Sequence, residues 1–99
     1  MERVQQALTE LEQYHLLGPG EVVEALQCLE RVARSAVDAE LSWPALEMLA
    51  LWIMDEHWLT QGLPRDYLAV RRAEVLLRLS TMFELLQARR WEEQISTTW

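Results

Sequence analysis

The stretch SWPALEMLALWIMDEHWL, residues 42–59, holds one polar residue, Glu47, between Ala45 and Met54. A helix that is apolar nearly all round is expected in the middle of a protein, covered by several neighbours. It is too short to cross a bilayer, which needs about 20 consecutive apolar residues. Asp55, Glu56 and His57 close it with polar groups. Pro44 stands where a first-turn proline is tolerated, and Ser42 or Trp43 takes the capping position. The reading that follows is a helix from about Ser42 to Thr60, with the rest of the chain packed around it.

Downstream, Gln61-Gly62-Leu63-Pro64 makes a turn and Pro64 opens a last helix, with Asp66 in its first turn facing the positive end of the helix dipole. Apolar residues from Leu68 to Leu86 carry that helix to about Trp91. Ser96–Trp99 shows no helical pattern and reads as a loose tail behind a single domain of residues 1–95. Upstream, residues 21–40 give the cleanest periodicity. Val22, Leu26, Leu29, Ala33 and Ala36 form one stripe, widened by Val23, Ala25, Val32 and Val37, while Glu24, Gln27, Arg31, Arg34 and Asp38 hold the opposite side. Residues 2–17 form a shorter amphipathic helix on Val4, Leu8, Leu11 and Tyr14 or His15, with Ala7 beside them, ended by Gly18-Pro19-Gly20. No alternating strand pattern occurs. The fold class is therefore all-α, a compact bundle of about four helices with a long C-terminal helix. Leu26, Leu29, Val32, Ala33, Leu46, Leu49, Trp52, Ile53, Leu76 and Leu79 are its expected core.

Ninety-nine residues make one domain able to bury a core without metals or disulfides. The single cysteine, Cys28, implies no internal bridge and reads as a small buried hydrophobe rather than a reactive thiol. No charged segment followed by an apolar one opens the chain, so a secretory leader is not expected and a cytoplasmic location is. The net charge of −7 is unevenly placed: residues 1–60 carry −8 and residues 61–99 carry +1. An acidic chain repels phosphate, which argues against nucleic acid as a partner, and nothing suggests a membrane. Five tryptophans are many for this length, and tryptophan serves both cores and binding hot spots.

Few residue patterns carry chemistry. Glu12-x-x-His15 has the spacing of a carboxylate-bridged di-metal bundle, but the other histidine, His57, has Met54 three residues before it, so half the site is missing and no metal is expected. There is no nucleophile–base grouping and no glycine-rich phosphate loop, so neither a catalytic residue nor a cofactor site is assigned. Arg65, Arg71, Arg72 and Arg78 could line an anion-binding pocket or reach DNA from a helix-turn-helix. The last helix opens with Tyr67, Leu68, Ala69 and Val70, which are poor base readers, and Arg71 and Arg78 share their face with Glu74, which suits a solvated surface. At 1.5 Å per residue the last helix, roughly 43 Å long, outruns partners of roughly 24–30 Å. Met82, Phe83, Leu86 and Trp91 lie in its final turns and are the expected partner or dimer interface.

The run Ala25-Leu26-x-Cys28-Leu29, then Ala33 and Ala36-Val37, then Trp43 opening an Ala/Leu/Met-rich helix, resembles small bacterial helical proteins of the QslA type. That resemblance covers residues 21–59. It implies a quorum-sensing anti-activator, a small all-helical dimer that binds a LuxR-type transcription regulator and blocks its dimerisation, and so its DNA binding. It assigns no residue. Together with the apolar overhang it leads to the expectation of a non-enzymatic protein-interaction module, a homodimer without cofactor. A small helical enzyme with an arginine-lined pocket and a secretion or assembly chaperone are the alternatives.

Overall fold

Where a joint between helices is described, the helices stop and start where their residues can satisfy loose backbone groups. The computed structural model describes residues 2–11, 22–62 and 64–98, with their side chains except at 22, 57–61 and 96–98. It contains α1 (Glu2–Leu11), α2 (Val22–Asp38), α3 (Trp43–Gln61) and α4 (Arg65–Thr98), with no strand among the described residues. The all-α bundle with a long last helix is the fold observed. Gly18-Pro19-Gly20 and the end of the expected first helix lie outside the described residues.

The α2–α3 joint is built without glycine. The Leu41 N–H donates to the Ala36 carbonyl and the Glu40 N–H to the Val37 carbonyl, both at 3.0 Å. This is a Schellman closure, which needs a left-handed residue at its C′ position. Glu40 fills it at φ +59°. Ser42 then caps α3: its hydroxyl accepts from the Ala45 N–H at 3.4 Å, with Pro44 in the first turn. Gly62 ends α3 at φ +65°, where a residue without Cβ carries no steric cost. The carbonyl of Pro64 accepts the first bond of α4 from the Leu68 N–H at 3.1 Å.

The middle of the bundle is α2, not α3. α2 packs against α1 on one side and α4 on the other, while α3 leans on α4 and α1. The α1 stripe of Val4, Ala7, Leu8 and Leu11 is buried as expected. Of the expected core, Leu29, Val32, Ala33, Leu46 and Leu79 are buried, and Leu26, Leu49, Ile53 and Leu76 pack half-buried against them. Trp52 is the exception, at 60% exposed, and its α3 neighbour Met48 is 73% exposed. The reason is geometric. Among its described side chains, helix α3 fully buries only Leu46, Ala50 and Met54, spaced four apart, because neighbours cover it on one side. Its all-round apolarity therefore leaves a second surface bare.

Helix α4 runs antiparallel to α3. Trp43 meets Phe83 with ring centroids 5.9 Å apart, and Asp55 pairs with Arg72. At 34 residues α4 is about 51 Å long, close to the 54 Å long axis of the molecule. It extends to Thr98, so residues 96–98 are helical where a loose tail was expected. Its inward stripe is Val75, Leu79 and Phe83, again four apart. The C-terminal end of α2 reaches Arg90, which donates to the Val37 carbonyl and faces the Glu40 carboxylate at 3.6 Å. Glu93 and Gln94 still line grooves with Val37, so the true overhang is only the last turn, about 6 Å long.

Candidate interaction surface

Burial divides the four expected interface residues. Phe83 is 1% exposed, covered by Trp43 and continuous with the core. It cannot meet a partner without the fold opening. Met82 and Leu86 are half-buried against the same core. Sequence reasoning treated these three as overhang, but α2 and the first turn of α3 extend far enough along α4 to cover them. Trp91 is the one of the four that faces outward, at 66% exposed.

The exposed apolar surface lies elsewhere on the same helix. Opposite the inward stripe, Val70, Leu77 and Trp91 stand out from α4, joined near its C-terminal end by Ile95 and on one flank by Leu85. Val70, Leu77, Glu84 and Trp91 are seven apart, and Thr81, Ala88 and Ile95 form a second track with the same spacing. Residues seven apart return to nearly the same side of a helix. Small side chains, Ala73 and Ala88, lie between the large ones and are exposed. The hydroxyls in the middle of the stripe are already engaged: Ser80 Oγ and Thr81 Oγ1 both donate to the Leu77 carbonyl at 2.9 Å. They can be covered without creating an unpaired donor. A second bare surface is the α3 face with Met48 and Trp52, which ends at the acidic Asp55 and Glu56. Sequence reasoning missed both faces. The signal for α4 was there as a seven-residue recurrence, outweighed by the stronger inward pattern.

The arginines do not converge. Arg71 is buried, at 4% exposed, rather than solvated beside Arg78. Arg72 is tied to Asp55 of α3, Arg78 reaches Glu74 of its own helix at 3.4 Å, and Arg65 is exposed at the first position of α4. The described surface carries open grooves, such as one of about 240 Å³ lined by Val37, Glu40, Leu41, Gln87, Arg90 and Trp91. Another, between α2 and α4, gathers Arg34, Arg89 and Arg90, but Asp38 and Glu93 line it too. Among the described residues no group of three metal-ligating side chains assembles. Glu12, His15 and the side chain of His57 lie outside the described residues. Cys28 is fully buried and its thiol donates to the Ala7 carbonyl at 3.2 Å. Among the described residues no helix is long and apolar enough to cross a membrane.

No protein-family model matches the chain, and neither does any curated protein or solved structure.

Proposed function

We propose that this chain is a non-enzymatic protein-interaction module. The observation that supports it is the number of large apolar side chains left exposed on two helices, Met48 and Trp52 on α3 and Val70, Leu77, Leu85, Trp91 and Ile95 on α4. Soluble monomers rarely expose contiguous apolar patches beyond about 300–600 Å². Tryptophan is also enriched at binding hot spots.

Two occupants suit such a surface: a second copy of the chain and a foreign protein. The anti-activator form, capture of a LuxR-type regulator so that it cannot dimerise on DNA, is the specific version to which the sequence resemblance points. In that version the acidic close of the α3 face, Asp55 and Glu56, borders the apolar contact made by Met48 and Trp52.

The test uses the double variant Met48→Glu, Trp52→Glu. Both side chains are exposed, so the variant keeps the fold, which circular dichroism checks. A purified LuxR-type regulator bound to its operator is titrated with the chain. Wild type is expected to release the DNA at stoichiometric addition, and the variant to leave the complex intact. Release by neither removes the anti-activator form, and release by both alike removes the Met48, Trp52 face as its contact. Affinity capture from native lysate that is identical for wild type and variant removes the α3 face as a binding surface.

A further inference from the structure

We infer that the outer face of α4 pairs antiparallel with the same face of a second copy, about a two-fold axis near Ser80 and Thr81. The inference rests on the reading of the exposed apolar surface as an interface and names the occupant of its α4 part.

Extent comes first. The face of α4 is about 51 Å long and about 10 Å wide, a projected footprint on the order of 500 Å². The accessible area buried is larger, because each side chain is wrapped rather than merely covered. It approaches the roughly 800 Å² per partner of a standard specific interface. No other described element offers that length, since α2 and α3 have 17 and 19 residues. Near the C-terminal end of α4, Trp91 and Ile95 remain 66% and 48% exposed. A two-fold pair uses one such surface twice and leaves none over.

Charge favours α4 over α3 and chooses the direction. The helix Trp43–Gln61 carries −3 and α4 carries +1, while α1 and α2, each net −1, are ruled out by length instead. Within α4 the half from Arg65 to Thr81 is net +2 and the half from Met82 to Thr98 net −1. A parallel pair sets each half against its like and Glu84 against Glu84. An antiparallel pair centred near Thr81 sets Arg78 beside Glu84 twice. It also carries Glu92 beside Val70, in the net-positive half of the other helix. Leu77 then falls opposite Leu85, and Val70 beside Trp91. At the crossing point the side chains are Ser80 and Thr81, small and with their hydroxyls bonded to the Leu77 carbonyl. Two backbones can approach there without orphaning a donor.

The experiment takes the full chain. Sedimentation velocity across the micromolar range should show a dimer for wild type and a monomer for Leu77→Glu, with unchanged helical circular dichroism. Leu77 is 68% exposed, so the substitution does not touch the core. Direction is read from single added cysteines, Cys28 being fully buried and out of reach. Under mild oxidation Thr81→Cys should link to itself. Val70→Cys and Glu92→Cys should each fail alone and link when mixed. A wild-type monomer throughout the range overturns the inference, as does a dimer that survives Leu77→Glu. Self-linking by Val70→Cys and Glu92→Cys separately overturns it in favour of a parallel pair. None of these results bears on the Met48, Trp52 face, whose own variant tests the protein-binding reading independently.

Discussion

Cys28 shows how one side chain reports on its surroundings. Burial pushes its thiol above the ordinary 9.0, the nearby Glu10 carboxylate adds to this more weakly, and Arg31 acts in the opposite direction. The thiolate is the reactive form, so native protein at neutral pH should resist a thiol reagent until α1 lifts from α2. Fast labelling without unfolding would contradict the packing. The same shift gives a pH dependence. The unfolded chain ionises its thiol first as pH rises above 9.0, so the unfolded state binds fewer protons and stability falls there. Cys28→Ala should flatten that part of a denaturation-versus-pH series. At Phe83 the issue is volume. Truncation to Ala should cost about 3–5 kcal/mol in chemical denaturation, and a loss under about 1 kcal/mol would put the ring on the surface. Glu40 is a third case. Its left-handed backbone costs a residue with a Cβ roughly 1 kcal/mol, and its pair with Arg90 is 80% exposed on the Glu40 side. Glu40→Gly should therefore raise stability by about 0.5–1 kcal/mol. A destabilised variant would mean the ion pair outweighs the backbone strain.

Helix ends and one-sided stripes were legible at the level of elements; which helix sits in the middle was not. Ser42, Pro44 and Gly62 are local signals for backbone groups that each helix must satisfy, and all three act where the sequence places them. The α1 stripe was equally plain, since polar residues on its other side leave one way to pack. Helix α3 has no such contrast. Apolar residues all round are compatible with burial on every side or with one buried and one working surface, and only the tertiary arrangement of α1 and α4 decides. Helix α4 misleads in another way, because Phe83 and Trp91 are both large, aromatic and near its end. What separates them is the side of the helix each occupies, since eight residues turn the helix by about 80° beyond two full turns, and which side is covered is set by packing that composition does not encode. A chain ending after Arg90 tests the division. It should retain stability to within about 1 kcal/mol, as changes away from a core do, while losing Trp91 and Ile95 and with them self-association. A large loss of stability would show that the last turns support the bundle itself.

For the whole molecule, charge and assembly are one question. Two copies of net charge −7 repel, and at about 0.15 M ionic strength that repulsion decays over about 8 Å. A pair joined through the outer side of α4 keeps residues 1–60, net −8, away from the contact, so the short-range apolar contact meets the least opposition. Such a dimer makes thermal stability depend on concentration, because association draws on the folded state alone. For a dimer unfolding to two chains, each tenfold increase in concentration adds about 0.7 kcal/mol per chain, half of RT ln 10. For a domain of this size that corresponds to a rise in Tm of about 3–5 °C. Leu77→Glu should abolish the dependence while leaving the low-concentration midpoint of wild type nearly unchanged, since Leu77 contributes little to the fold of one chain. Calorimetry or circular-dichroism melts at graded concentrations read both quantities. A wild-type midpoint that does not move with concentration would leave α4 unpaired in solution, and its bare face would then have to be covered by a different protein.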